Sequence, residues 1–516
     1  MTRLVRAASS ISAITLLSRV LGLFRDRLMA QTLGAGWVQG IFLLAWMMPN
    51  LMRRLLGEGA LSAALVPQYA RAQRDDPTVA KRLLEDVMGT VATILGSICA
   101  LVAVASLLVP AEWFPSPAAG GPESIRLLLA LNAVLFAYSL PICLAALASG
   151  ALNTLGSFAL PASIPAALNV IWIAALIAAK PLGFTVDTEV ATFAAWSLLI
   201  GGGVQLLIVL VPLRRRGALG RLRLGLPKRG TPAFTVFVMM GPTVLGMSLN
   251  QVSSLLDQLL AYFAVAPGAN MYVYLSNRLL LFPHALTALA VAVAVFPRLA
   301  SEADREGRRE MRRTLDLAAS ATVLVTLPAA LGLILLADDV VEVLFVGGRF
   351  GPEEIAPTAL TTICLVAGLP FLGLSQLYAR AFYAVEDPGT PARIAGQMVL
   401  VNAVASVTLL YTTNLGTAAL TLASTLASAG NALLLARRFQ RHAAAADGLG
   451  RAWLRSIVAT AAMCAVVPFA RVADDEASLL WRAAGDLALP IGLGVAVYVG
   501  AHVLMRSPEL RALRRR

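Results

Sequence analysis

Apolar segments of about 20 residues recur along the whole chain, and they constrain the fold more than any other feature of the sequence. A helix of that length crosses the hydrocarbon core of a bilayer, which is about 30 Å thick. The composition agrees, since 58% of the 516 residues are hydrophobic and only 14% are charged. Membrane β-barrels show short alternating segments instead. The sequence therefore predicts an all-α polytopic membrane protein.

Fourteen segments are candidates for transmembrane helices. They lie at residues 8–32, 37–70, 83–110, 124–150, 159–180, 190–213, 232–264, 271–299, 314–337, 357–384, 391–413, 416–438, 453–472 and 484–505. Lysines and arginines cluster in alternate loops and in the tail, at residues 71–82, 214–229, 298–313, 437–441 and 511–516. Because basic loops stay cytoplasmic, this alternation predicts that both termini are cytoplasmic. The net charge of +13 is then a topology signal, and nucleic acid is not an expected partner.

An internal repeat relates the two halves of the chain at offsets of 227–231 residues. It pairs Asp26 with Asp257, Asn50 with Asn277, Pro67 with Pro297, Pro141 with Pro370, and Pro161 with Pro391. The offset covers six spans, so both halves insert in the same direction and are related by a pseudo-twofold axis along the membrane normal. The repeat predicts a six-helix lobe over 1–230, a second over 231–445, and two extra C-terminal helices over 446–516.

Charged residues lie inside four of the predicted spans. They are Arg19, Arg25, Asp26 and Arg27 in the first, Arg53, Arg54 and Glu58 in the second, Asp257 in the seventh and Arg278 in the eighth. Exposing such a charge to lipid costs at least about 2.5–3.5 kcal/mol, so these residues normally face a wet cavity or one another. Arginines outnumber carboxylates, which predicts a cavity for an anion, and the arginine fork suits a diphosphate. Arg27 and Arg54 have the alternative of snorkelling to the interface.

Helix-breaking residues accompany these charges. Gly57 and Gly59 bracket Glu58, Gly22 loosens the first span, and Pro49 interrupts the second. Broken helices beside a cavity supply hinges, so we interpret Gly22, Pro49, Gly57 and Gly59 as hinge or gating positions. The alternative is that the glycines allow close helix packing.

The acidic residues fall into two groups. Asp26 and Glu58 neighbour arginines, and we interpret them mainly as partners that neutralise those arginines and hold them in place. Asp257 has no basic residue within a helical turn, and two alternatives stay open for it, a cation site or a pair with a distant arginine. His284 is left unassigned. The four cysteines show no metal-type spacing, and no catalytic motif is present, so the chain is not expected to be an enzyme.

Four stretches, "SRVLGLFRDRLMAQTLGAG", "PNLMRRLLGEGALSAALVPQYA", "SNRLLLFP" and "LYARAFYAVEDPGTP", resemble the MurJ (MviN) family of lipid II flippases. This family belongs to the multidrug/oligosaccharidyl-lipid/polysaccharide exporter superfamily. The resemblance covers nearly the whole chain and implies a V-shaped, two-lobe transporter of the bacterial cytoplasmic (inner) membrane, acting in peptidoglycan biosynthesis. Lipid II would pass from the cytoplasmic to the periplasmic leaflet by alternating access. The implied partners are lipid II, membrane lipids and the cell-wall synthesis machinery, and the chain is expected to be a monomer.

The resemblance also implies roles for individual residues. Its essential arginines, which would meet the diphosphate, match Arg19, Arg25, Arg53 and Arg278. The candidate substrate-binding set is completed by Asp26, Glu58, Arg54 and Asn50. The two extra spans would form a groove for the undecaprenyl tail. No organic cofactor is expected. The family is thought to use the membrane potential, and some members bind sodium, for which Asp257 and Asn402 are the candidate ligands.

Two positions depart from the family pattern. Gly40 stands near a place where many members carry a carboxylate, and Leu281 replaces a carboxylate in "RLLLFP", so the cavity is more positive than usual. Three rival functions remain. The first is a flippase for another undecaprenyl-linked oligosaccharide, the second is a cation-coupled multidrug exporter, which would need a net acidic cavity, and the third is a non-transporting scaffold, which would have no use for buried arginines.

Overall fold

The computed structural model describes residues 2–57, 59–113, 121–286, 296, 298–302, 308–441, 449–470 and 483–507. Within this part, the chain is built from helices and short turns, and no β-strand is present. The all-α prediction is therefore confirmed. Contacts divide the chain into two compact units. The first comprises Met1–Leu255, Ala266–Met271 and Gly348–Phe350, and the second comprises Leu256–Val265, Tyr272–Gly347 and Gly351–Arg516. The division into lobes at residues 230 and 445, which rests on the repeat, stays a prediction.

Nine α-helices begin in the described part of the first unit. They are α1 (Thr2–Leu33), α2 (Trp37–Met52), α3 (Ala60–Asp75), α4 (Pro77–Leu108), α5 (Gly121–Ala137), α6 (Ser139–Thr154), α7 (Ala159–Ala179), α8 (Asp187–Arg215) and α9 (Pro232–Leu260). A π-helical turn, Arg53–Gly57, follows α2, and a second one, Ala261–Val265, follows α9. Both turns therefore interrupt segments that the hydropathy pattern predicts as single spans.

The later helices lie mainly in the second unit. They are α10 (Asn270–Leu286), α11 (Arg308–Leu335), α12 (Ala337–Phe345), α13 (Ile355–Val366), α14 (Leu369–Ala384), α15 (Gly389–Thr412), α16 (Thr417–Phe439), α17 (Leu449–Val466) and α18 (Leu489–Leu504). A 3-10 turn, Val467–Ala470, follows α17, and a π-helical turn, Ala483–Ala488, precedes α18.

Ten segments of the described residues are long and apolar enough to cross a membrane. They correspond to predicted spans 3–6 and 9–14, so the multi-pass architecture is confirmed. The other four predicted spans contain α1, α2 with α3, α9 and α10, and these are the spans that carry the intramembrane charges. The count of fourteen stays a prediction.

Helix boundaries recur at the spacing of the repeat. The break between α5 and α6 falls at Tyr138, and the break between α13 and α14 falls at residues 367–368. Similarly, α7 begins at residue 159 and α15 at residue 389, a separation of 230. The motif Pro67–Pro297 cannot be compared in this way, because Pro297 lies outside the described residues. The repeat read from short motifs thus has a counterpart in the secondary structure.

An aromatic core fixes α7 in the first unit. Trp172 is fully buried, and its ring centroid lies 5.8 Å from that of Phe42 and 5.1 Å from that of Trp46, both on α2. The hydroxyl of Tyr138, at the α5–α6 break, donates a 2.8 Å hydrogen bond to Oε1 of Gln205 on α8. Buried aromatic side chains contribute large apolar areas, and a buried tyrosine hydroxyl needs such a partner. These contacts give α1 a rigid surface to pack on.

Asp76 makes the sharp turn between α3 and α4. Its Oδ1 accepts hydrogen bonds from the backbone N and Oγ1 of Thr78, at 2.7 and 2.8 Å, and Pro77 is the first residue of α4. This combination of an N-cap aspartate and a following proline is a strong helix start. The hydrogen bonds from Thr78 hold the pKa of this exposed carboxyl below its ordinary value.

Candidate functional site

A buried ion pair lies where α1 packs against α7. Arg25 and Asp26 are only 6% and 1% exposed. The Nε and Nη2 atoms of Arg25 donate to Oδ1 of Asp26, at 3.0 and 2.6 Å. Nη1 of the same arginine donates to Oδ1 of Asn169 on α7, at 2.9 Å. The structure therefore brings Arg25 and Asp26 together, as charge pairing predicts for residues this deeply buried.

The surroundings of Arg25 fix its orientation. Its guanidinium carbon lies 4.4 Å from the ring centroid of Trp172, a cation–π contact. Asn169 donates through Nδ2 to the backbone O of Ser18, at 2.9 Å, which ties α7 back to α1. Gly22 faces the same asparagine, since a Cβ there would lie 3.5 Å from its Nδ2, an ordinary contact. Arg25 is thus neutralised, stacked and hydrogen-bonded.

The other α1 arginines lie in different surroundings. The side chain of Arg19 is exposed, while that of Arg27 is half-buried. Arg19 precedes Arg25 by six residues, so the two side chains do not share one helical face at the i, i+3 or i+4 spacing. The candidate arginines of α1 therefore divide into one that is built into the helix packing and one with an accessible charged group.

The π-helical turn Arg53–Gly57 displays the two arginines of the second predicted span. Arg53 is half-buried, and Oδ1 of Asn50 accepts hydrogen bonds from its Nε and Nη2, at 3.3 and 2.9 Å. Arg54 is exposed, and its Nη1 donates to Oε1 of Gln251 on α9, at 2.9 Å. Single π-helical turns occur often at functional sites. The guanidinium of Arg54 thus contacts a second helix of the same unit.

The helix-breaking residues have distinct surroundings. A Cβ on Gly57 would lie 3.1 Å from Cβ of Ala146, so this glycine allows α6 to pack closely. Gly59 precedes α3 as its N-cap residue, and Pro49 is buried within α2. The close approach at Gly57 agrees with the packing alternative, and the hinge role of all four residues stays a prediction. Glu58 lies outside the described residues.

Arg278 lies on α10 in the second unit. Its side chain is half-buried, its Nη2 donates to the hydroxyl of Tyr274 at 2.9 Å, and its guanidinium carbon lies 4.9 Å from that ring centroid. Leu281, which replaces a carboxylate of the family pattern, lies one turn later and is 46% exposed. Tyr274, a neutral residue of the same helix, thus orients the guanidinium of Arg278.

Asp257 and Asn402 belong to one hydrogen-bonded network in the second unit. Ser424 on α16 donates to Oδ2 of Asp257 at 3.1 Å, and it accepts a hydrogen bond from Nδ2 of Asn402 at 2.8 Å. Ser406 on α15 donates to Oδ1 of Asn402, at 3.1 Å. Asp257 is 9% exposed, and among the described residues its Oδ1 has no hydrogen-bond partner.

This network fits a small monovalent cation. All its acceptor atoms are carboxylate, amide or hydroxyl oxygens, which hard cations prefer. A buried carboxylate oxygen without a partner is costly unless a cation or a proton satisfies it. Among the residues that the structure describes, no group of three His, Cys, Asp or Glu side chains is suited to a metal. A single carboxylate with neutral oxygens matches a single positive charge better than a divalent ion.

The residues that hold these charged groups are not predicted by the sequence. They are Asn169, Trp172, Gln251, Tyr274, Ser406 and Ser424. Asn169 does carry a signal, because it is an isolated amide within the apolar run "ASIPAALNVIWIAALIA". The two serines carry none, since small hydroxyl residues are common in membrane helices.

Comparison with known proteins decides the family. The family model described as "Lipid II flippase MurJ" matches residues 29–475. The chain belongs to the MurJ family. A lipid II flippase MurJ from Burkholderia cenocepacia is 32% identical over 445 residues, which are 84% of this chain and 83% of that protein. A probable lipid II flippase MurJ from Vibrio cholerae is 30% identical and covers 99% of this chain and 98% of its own.

A solved structure supports the same fold. It is described as "Lipid II flippase MurJ, inward closed conformation", and it matches with a TM-score of 0.79 at 22% identity, over 96% of this chain and 98% of its own. The MurJ resemblance predicted from the sequence motifs is confirmed by the family model and the two relatives, and the fold agrees with it. A flippase is a transporter, and so the family also agrees with the expectation that this chain is not an enzyme.

Proposed function

We propose that this protein is a lipid II flippase of the bacterial cytoplasmic membrane, with both termini cytoplasmic. The observation that carries the proposal is the family match over residues 29–475, supported by the excess of arginine over carboxylate in α1 and in the π-helical turn Arg53–Gly57. The substrate would move from the cytoplasmic to the periplasmic leaflet by alternating access. No bond is made or broken, so the chain's task is to shelter a charged headgroup from hydrocarbon.

The arginines divide this task. Arg19, Arg53 and Arg278 have exposed or half-buried side chains and are the candidates for direct contact with the diphosphate. Arg25 is held by Asp26, Asn169 and Trp172, and its proposed task is to fix α1, which carries Arg19, against α7. Arginine stays charged when desolvated and binds phosphate oxygens in pairs, which suits contact with a diphosphate. Arg54 and Asn50 complete the proposed set, since Asn50 orients Arg53.

We further propose a sodium ion beside Asp257, with Asn402 and Ser424 as neutral oxygen ligands. The buried Oδ1 of Asp257 is the observation that favours it. In this scheme the inside-negative membrane potential also acts on the positive empty cavity and helps to return it to the inward state. A charge that crosses the full membrane gains about 2.3 kcal/mol per 100 mV.

The two extra helices are proposed to hold the undecaprenyl tail. Tyr498 of α18 donates to the backbone O of Leu324 on α11 at 2.6 Å, which attaches the pair to the second unit. Large apolar side chains remain exposed on both helices, among them Leu454, Ile457, Ile491 and Val495. An exposed apolar surface of this kind suits a long isoprenoid chain. We also propose that the protein is a monomer and that it works with the cell-wall synthesis machinery.

Complementation tests the substrate. A bacterium depleted of its own lipid II flippase should regain growth with wild-type protein and fail to do so with an equally abundant Arg53→Ala variant. In parallel, a strain that lacks the flippase for another undecaprenyl-linked oligosaccharide should gain nothing. If only the second strain is rescued, the chain is a flippase of that other class. If neither strain is rescued although the protein is folded in the membrane, lipid-linked sugars are the wrong substrates.

A further inference from the structure

The connection from α8 to α9 runs along α4 as a docked segment, the strap, which comprises residues 217–229. Buried Glu85 on α4 receives it, because its Oε1 accepts a 2.8 Å hydrogen bond from the backbone N of Gly220. The backbone N of Arg223 donates to the carbonyl O of Glu85, at 3.4 Å, and Leu219 of the strap is 3% exposed. A basic loop that would otherwise be free in solvent is thus attached to a membrane helix.

Gly89 and Thr93 extend this attachment by two turns of α4. A Cβ on Gly89 would lie 2.0 Å from the backbone O of Arg223, so the strap approaches closer than any other residue type at 89 would allow. The backbone N of Gly225 donates to Oγ1 of Thr93, at 2.9 Å, and Gly225 has a φ of +138°. The path of the strap is therefore set mainly by backbone contacts, and many of its side chains, unlike that of Leu219, are exposed.

Those side chains form an amphipathic surface. Leu224 and Leu226 are 73% and 72% exposed, and leucines in a water-facing loop are rarely exposed to this extent. The exposed basic residues around them, including the end of α8, are Arg214, Arg215, Arg216, Arg221, Arg223, Lys228 and Arg229. Leucines between basic residues are the pattern of a segment that lies in the interface of a membrane.

The strap ends at the right depth for such a position. Residues 83–91 of α4 are almost all buried, whereas from Ile94 onward its exposed side chains are mostly apolar and include Ile98 and Leu101. The last attachment point of the strap is Thr93. Its two leucines therefore flank the level at which the lipid-facing surface of α4 begins.

We propose that the strap is a docking surface for anionic phospholipid headgroups, with Leu224 and Leu226 at the acyl boundary. The nearest carboxylates do not repel an anionic headgroup, because both are engaged by the strap. Glu85 is buried and accepts a hydrogen bond from Gly220, and Glu85 and Asp86 lie 3.6 and 3.8 Å from Nε of Arg223. Basic residues beside an anionic membrane attract its headgroups additively. This role concerns the bulk lipid and is independent of which lipid is transported.

The test titrates the purified full-length protein, in neutral detergent, with short-chain phosphatidylglycerol and follows its thermal unfolding to obtain an apparent Kd. Arg221→Gln/Arg229→Gln should weaken this Kd by about fivefold per charge removed. Leu224→Ser/Leu226→Ser should also weaken it, but should leave binding of glycerol phosphate, the headgroup alone, unchanged. Gly89→Ala, which displaces the strap without changing any charge, should mimic the arginine variant.

The matched control is Arg437→Gln/Arg438→Gln, which removes two exposed charges at the end of α16. It should change the apparent Kd for phosphatidylglycerol far less than the strap variant. Equal effects of the two pairs would mean that only net charge matters, and that result would overturn the proposal. The proposal would also be overturned if the strap variants kept full binding and phosphatidylcholine stabilised wild type equally well. That result would assign the surface to another partner, such as an acidic protein.

Discussion

Arg25 donates a 2.9 Å hydrogen bond to Oδ1 of Asn169, although 144 residues separate them in the chain. Because it also pairs with Asp26 and stacks on Trp172, this arginine belongs to the helix packing of the first unit. Arg19, on the same helix, has an exposed side chain. Two arginines that the sequence places in a single set therefore have different physical roles, and mutagenesis should separate them.

Arg25→Gln should destabilise the protein. It removes the positive charge that is paired with the carboxylate of Asp26, which is 1% exposed, and breaking a buried pair in this way costs about 3–5 kcal/mol. Thermal unfolding in detergent measures the loss. Arg19→Gln is the control and should stay within about 0.5 kcal/mol of wild type while losing transport. Equal stability of the two variants would show that the Arg25 network contributes nothing to the fold.

Sodium should stabilise the protein through Asp257. A ligand that binds only the folded state adds about 2.7 kcal/mol at a hundred times its Kd, so NaCl should raise the midpoint of unfolding above that in KCl at equal ionic strength. Asp257→Asn should abolish the difference, and Ser424→Ala should reduce it because Ser424 bridges Asp257 and Asn402. If Asp257→Asn retains the full sodium effect, the ion binds elsewhere.

Gly268→Ala should be more damaging than Gly183→Ala. The two glycines have nearly the same positive φ, +96° and +92°. A Cβ at 268 would lie 1.9 Å from the backbone O of Ala35, whereas nothing lies within 4 Å of one at 183. Gly183→Ala therefore carries only the conformational cost of about 1–2 kcal/mol, and Gly268→Ala adds the steric one. Matching unfolding curves for the two variants would contradict the close approach at Ala35.

Alanine substitutions also distinguish hinge from packing at Gly22 and Gly57. A Cβ at Gly22 meets only an ordinary contact, so Gly22→Ala should stabilise its helix by up to about 1 kcal/mol. Gly57→Ala should destabilise, because Ala146 lies 3.1 Å away. Transport assays with both proteins complete the test. Loss of transport by a stable Gly22→Ala protein would support a hinge at Gly22, and full transport would leave packing as its role.

Most of the fold was predictable because hydropathy and the repeat report on independent physical facts. Apolar runs reveal spans of sufficient length, and motif pairs such as Asp26 and Asp257 predict a duplication. The same methods do not give local breaks. The π-helical turn at Arg53–Gly57 and the break at Tyr138 depend on the packing of α6 and α8. A hydropathy window averages over such features.

The site was predictable in its charges but not in its contacts. An arginine inside an apolar run is easily recognised in the sequence. Nothing in the sequence, however, pairs Arg25 with Asn169, or Asp257 with Ser424, which is 167 residues away. Such partners are small or neutral residues whose proximity is decided by tertiary packing. The exposure of Arg19 and the burial of Arg25 likewise follow from which face of α1 meets α7.

The central claim is that this chain carries lipid II across the membrane with Arg53 contacting its diphosphate. The direct measurement uses cells depleted of their own flippase and a lipid II-cleaving enzyme that acts only from outside. Wild-type protein should restore cleavage of the lipid II pool, while equally abundant Arg53→Gln should leave the pool protected and Arg53→Lys should be intermediate. Protection of the pool in cells with wild-type protein, or full cleavage with Arg53→Gln, would contradict the claim.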